Sequence, residues 1–150
     1  MCLSECESEG EKGRVGKSEG EEVRVKINRF EDLDCWQEAR RLVNSIYSVC
    51  SVNGFKKDFG LRDQITRSAI SIMANIAEGF SRKTNKEFIQ FLFIAKSSAA
   101  ELQSHLYIAM DQGYITKEKF TELYDHSDKI QRMISNLIKY LNSTLKHKKP

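Results

Sequence analysis

Few residues in this chain stand at the spacings that catalysis or cofactor binding requires. Gly16-Lys17-Ser18 looks like the end of a phosphate-binding loop, but such a loop needs a glycine five positions before Gly16, and Glu11 is there. No strand-like run precedes it and no amphipathic helix follows to aim backbone donors at a phosphate. Di-iron sites in helical bundles use paired Glu-x-x-His motifs, which this sequence lacks. Glu101 and His105 lie one helical turn apart. They suit a surface or interface pair, since neither His126 nor His147 brings a matching motif. Ser97 and Ser98 sit among small residues, where close helix packing accounts for them. Cys2, Cys6, Cys35 and Cys50 show no disulfide-framework spacing, and the Cys2/Cys6 pair has no neighbouring His or Cys to complete a zinc tetrahedron. The expectation is free thiols, no catalytic residues, no metal and no cofactor.

Two other patterns carry more. Asn75 and Glu78 interrupt the apolar run from Ile72 to Gly79 and, three residues apart on a helix, share a face. Buried polar groups need partners, so the pair is expected to join a hydrogen-bond network that fixes helix register; a recognition site is the alternative. With Glu101 they form a candidate structural polar motif. The second pattern is cationic. In an up-down-up-down bundle Arg82, Lys83 and Lys86, between the second and third helices, meet Lys146, Lys148 and Lys149 at the C-terminus. The same topology is expected to bring the acidic Glu31, Asp32 and Asp34 to that end, offsetting part of the field. Repeated around a cyclic oligomer, the cluster becomes a basic ring suited to phosphate backbones.

The elements that must position these residues are predicted to be helical throughout. The chain has 150 residues, 40% apolar, enough for one domain with a real core. Residues 1–29 are rich in Gly, Ser, Glu and Lys and are expected to form a disordered extension, with only Val23 to Ile27 able to dock. Residues 30–150 hold eighteen Lys/Arg against fourteen Asp/Glu, a mildly basic balance. Helix one is predicted over about 33–52, capped by Asp32 or Asp34 and ended by Asn53-Gly54. Helix two follows over about 60–80. Thr84-Asn85-Lys86-Glu87 reads as a capping box opening helix three, which runs to Gly113. Helix four begins after Thr116 and reaches the lysine-rich terminus. No apolar run approaches the roughly 20 residues of a membrane span, and no apolar leader is seen, so a cytoplasmic protein without a membrane partner is expected.

Helices two and three hold more apolar residues than one stripe requires. Phe88-Ile89-Gln90-Phe91-Leu92-Phe93-Ile94-Ala95 is apolar nearly all round, and Ile70, Met73, Ala77 and Phe80 lie outside the main stripe of helix two. The expected cover is another copy of the chain, with Ile70, Met73, Ile89 and Phe93 at the interface.

Several segments together also resemble a known family. Phe30-Glu31-Asp32-Leu33 with Trp36-Gln37, Gly60 to Ile65, Arg67-Ser68, Ser71-Ile72, Ala74 to Gly79 and Glu87 to Leu92 carry the likeness. Ser98, Glu101-Leu102 and Gly113-Tyr114-Ile115 continue it. The chain resembles, over about residues 30–145, the four-helix-bundle proteins encoded in intervening sequences of bacterial 23S ribosomal RNA genes; it departs from that pattern at Lys96-Ser97. The resemblance implies a cyclic, barrel-like homopentamer. It also implies kinship with the accessory variability determinant of diversity-generating retroelements, a basic pentamer that works with a reverse transcriptase and nucleic acid. The expected function is a non-enzymatic oligomeric scaffold that associates with structured RNA or RNA/DNA. The alternative is a module that docks a protein partner such as a reverse transcriptase, and a metal-dependent enzyme stands a distant third.

Overall fold

Apolar side chains recurring at steps of three and four draw four segments into helices, and the computed structural model, which describes residues 27–146, contains no strand among them. The helices are α1 (Asp34–Cys50), α2 (Phe59–Phe80), α3 (Asn85–Asp111) and α4 (Lys117–Lys146). Short 3-10 turns at Phe30–Asp32 and Asn53–Lys57 precede α1 and α2. Each helix packs on two others in the cyclic order α1, α2, α3, α4, and the α2–α3 seam is the most extensive. Short connections between packed neighbours make successive helices antiparallel. The predicted extension up to residue 26, Cys2, Cys6, the Gly16-Lys17-Ser18 segment, His147, Lys148 and Lys149 lie outside the described residues.

Leu42, Ile46, Ile65, Ile72, Ile76, Leu92, Leu102, Leu106, Ile130 and Ile134 are fully enclosed and form one continuous core. Gly79 lets α2 and α3 approach closely, because a Cβ there would stand 2.7 Å from the Phe91 Cβ and 2.8 Å from the Phe88 ring. Among the described residues no buried side-chain nitrogen or oxygen lacks a hydrogen bond.

The helix ends differ from the sequence expectations in three places. Leu33, not Asp32 or Asp34, occupies the N-cap of α1 and offers no side-chain acceptor. The Asp32 carboxylate accepts instead from the backbone N–H of Asn28 and Arg29, closing the 3-10 turn. The C-terminal end of α1 needs no left-handed residue: Ser51 caps it in right-handed geometry and Asn53-Gly54 starts the next 3-10 turn. At α3 the Thr84 hydroxyl accepts from the Glu87 N–H at 3.2 Å as expected, but the Glu87 carboxylate accepts from the Thr84 hydroxyl at 2.7 Å rather than from a backbone N–H. Gly113 does adopt the left-handed conformation, φ 73°, that its place after α3 predicts.

α1 is the short member. Glu38 near its start meets His126 of α4, whereas α4 continues for twenty residues beyond that point, to Lys146.

Candidate nucleic-acid interface

At the end of the molecule where α2 passes into α3, the Asn85 amide donates to the Thr144 hydroxyl at 2.9 Å. That bond joins residues 59 positions apart and holds the α2–α3 connection against the last turns of α4. Arg82, Lys83, Lys86 and Lys146, all exposed, thereby share one end of the bundle as predicted. Arg82 is not a free cation. Its guanidinium bonds the Glu78 carboxylate at 2.9 Å and lies 4.7 Å from the centroid of the Phe91 ring, so its position is set in advance. Sequence spacing offers the Glu78–Arg82 pair, one helical turn apart. It gives no sign of Phe91 or of the Asn85–Thr144 tie.

The acidic Glu31 and Asp32 lie in the 3-10 turn that packs on both α1 and α2, held to the first turns of α1 by the Gln37 side chain, which donates to the Glu31 carbonyl at 2.8 Å. Glu31 is paired with Arg29 at 3.0 Å.

The polar motif divides into separate pairs. Asn75 donates to the Ser71 carbonyl at 2.8 Å and to its hydroxyl at 3.0 Å; the Ser71 hydroxyl meets that of Ser98 at 2.8 Å, and Ser98 donates back to Ile94. This chain crosses the α2–α3 seam and fixes its register. Glu78 serves Arg82 instead, and Glu101 meets His105 at 3.3 Å. A further cluster, invisible in the sequence, ties α1 to α4: Glu38 holds His126 at 2.7 Å, Arg41 at 2.5 Å and Lys129 at 3.4 Å. Burial would raise the Glu38 carboxyl, but the His126 hydrogen bond and the charges of Lys129 and Arg41 outweigh it and hold the group below the usual carboxylate range.

Of the predicted interface residues, Ile70 is 41% and Phe93 52% exposed, and Met73 is half-buried. Ile89 lies in the chain's own core at 9%, and it adds nothing to the surplus surface. Ile94, Tyr107 and Ile108 enlarge the exposed apolar face of α3. No group of three or more His, Cys, Asp or Glu side chains among the described residues could hold a metal. Cys35 and Cys50 are free, and burial pushes both thiols up to about 11.

Comparison with known proteins settles the kinship. Residues 31–136 match the family described as 23S rRNA-intervening sequence protein. The chain belongs to that family. A solved structure with the same fold is a protein of unknown function from the S23 ribosomal protein family of Bacteroides thetaiotaomicron: it is 28% identical, with a TM-score of 0.64, over 70% of this chain and 98% of that one. No curated protein matches. The family region takes in α1, α2, α3 and most of α4, and so includes Arg82, Lys83 and Lys86 but not Lys146.

Proposed function

We propose that the protein is a non-enzymatic, cytoplasmic scaffold that associates with structured RNA through the basic end of its bundle. The observation that carries this reading is the Asn85–Thr144 tie, which gathers Arg82, Lys83, Lys86 and Lys146 at one end of the bundle. Such a surface engages phosphates and reads no base sequence, which fits RNA recognised by shape. Apart from Arg82, the lysines there have no ion-pair partner among the described residues, so they are available to phosphate.

The apolar face formed by Ile70, Phe93, Ile94 and Ile108 supports self-association, and the family resemblance implies a cyclic homopentamer related to the retroelement accessory determinant. A ring would repeat the basic end and raise its local field.

Fluorescence anisotropy with a hairpin RNA tests the reading. Binding is expected to weaken about tenfold or more between 50 and 200 mM salt, and Lys83→Glu with Lys86→Glu is expected to weaken it by a similar factor and lower the salt slope. Absence of binding at low salt would overturn it. In that event copurification of a protein partner that survives nuclease treatment would point to the docking module instead.

A further inference from the structure

The cations of the basic end are not equivalent. Lys83 and Lys86 are exposed and have no ion-pair partner among the described residues, whereas the Arg82 guanidinium is bonded to the Glu78 carboxylate at 2.9 Å. A phosphate approaching Arg82 therefore also approaches that carboxylate, and the pair offers it little net charge. What Arg82 offers instead is a surface. Its Cζ stands 4.7 Å over the centroid of the Phe91 ring. The backbone builds this stack: Gly79, with no Cβ, lets α3 come so near that a methyl there would stand 2.7 Å from the Phe91 Cβ. Arg82 follows Gly79 by three residues, so its side chain leaves the chain on the face that Phe91 has reached. Phe91 is half-buried, and the Arg82 side chain keeps 41% of its surface open. With the ring on one side and Glu78 on its N–H groups, the guanidinium is a fixed, planar, weakly hydrated group whose open surface lies away from the ring.

We propose that Arg82, seated on Phe91, is a stacking platform for one unpaired base of the RNA, and that Lys83 and Lys86 take the neighbouring phosphates. Bases in loops, bulges and single-stranded ends stack on aromatic rings and on guanidinium planes, whereas a base inside a paired helix has no free face to give. The platform presupposes that the basic end is an RNA surface, and it narrows the ligand to structured RNA that presents an unpaired nucleotide. Continuous duplex meets only the lysines. Since every base has a π-face, the platform distinguishes loop from stem without reading sequence.

The test compares a hairpin RNA with a twin that carries abasic nucleotides in its loop, which keeps the stem, the length and the phosphate charge and removes only the loop bases. Fluorescence anisotropy with the full chain is expected to show the hairpin bound about fivefold or more tighter than the twin, the least that one stacked base contributes. Arg82→Lys keeps the charge and can still reach Glu78, but it has no planar face. That variant is expected to bring the hairpin down to the twin's affinity while leaving the twin's affinity and the salt slope unchanged. Equal affinity of the native chain for the two RNAs would overturn the platform and leave the phosphate reading standing; no binding of either at low salt would overturn both. A loop preference that survives Arg82→Lys would place the base elsewhere. A variant that weakens both RNAs alike would make Arg82 a phosphate contact, and either result overturns the proposal.

Discussion

Asp58 shows how one carboxylate fixes two elements. One oxygen accepts the Leu61 N–H at 3.0 Å and caps α2; the other accepts the Tyr114 hydroxyl at 3.0 Å from the connection between α3 and α4. Asp58→Ala is expected to cost about 2 kcal/mol in urea unfolding, roughly 1 for the cap and 1 for the tyrosine bond. Tyr114→Phe is expected to lose only the second part. Glu38 makes a prediction in pH. Its carboxyl is depressed in the folded state, so its contribution is full above the unfolded value, about 4.3, and is lost as pH falls through the folded one. Thermal melts below about pH 5 are expected to show a loss of stability that Glu38→Gln flattens. Pairs one turn apart, Glu78–Arg82 and Glu101–His105, could be read from the chain because helix geometry alone brings them together. Asp58–Tyr114, Glu38–His126, Ser71–Ser98 and Asn85–Thr144 could not, since packing of separate helices makes them neighbours.

The four helices themselves were legible, because a period near 3.6 and strong terminal signals mark each segment. The missed ends fall on residues that suit caps: Asp32 and Gly54 belong instead to 3-10 turns, Asp32 through local bonds to the Asn28 and Arg29 N–H groups, and Asp34 is left in water. Two glycines illustrate different constraints. Gly113 has open space around its Cβ position, and an alanine there would meet only the cost of a left-handed backbone, about 1 kcal/mol. Gly79 has helical neighbours and would gain about 1 kcal/mol of helix propensity as alanine. Its methyl, however, would press on the Phe91 Cβ and the Phe88 ring. Forcing α2 and α3 apart is expected to leave Gly79→Ala less stable by about 1–2 kcal/mol, measured by denaturant unfolding.

At the scale of the molecule, no described helix is long and apolar enough to cross a membrane, so the surplus apolar face of α2 and α3 calls for another kind of cover. The surplus was visible in composition, but which residues compose it was not: Ile89 turned inward, while Ile94 and Ile108 turned outward. Phe93→Glu is expected to lower the assembled mass in native mass spectrometry without unfolding the chain, whereas Ile89→Glu would bury a charge and unfold it. The short α1 has one more consequence, in the order of events during synthesis. It leaves the ribosome first, yet the partner that satisfies Glu38 lies 88 residues later. At about 5–20 residues per second, α1 waits roughly 4–18 s before His126 can reach it, and its α4-facing side stays uncovered for that time. The α2, α3 and α4 hairpins close through local contacts, so the first helix made is expected to be the last one seated.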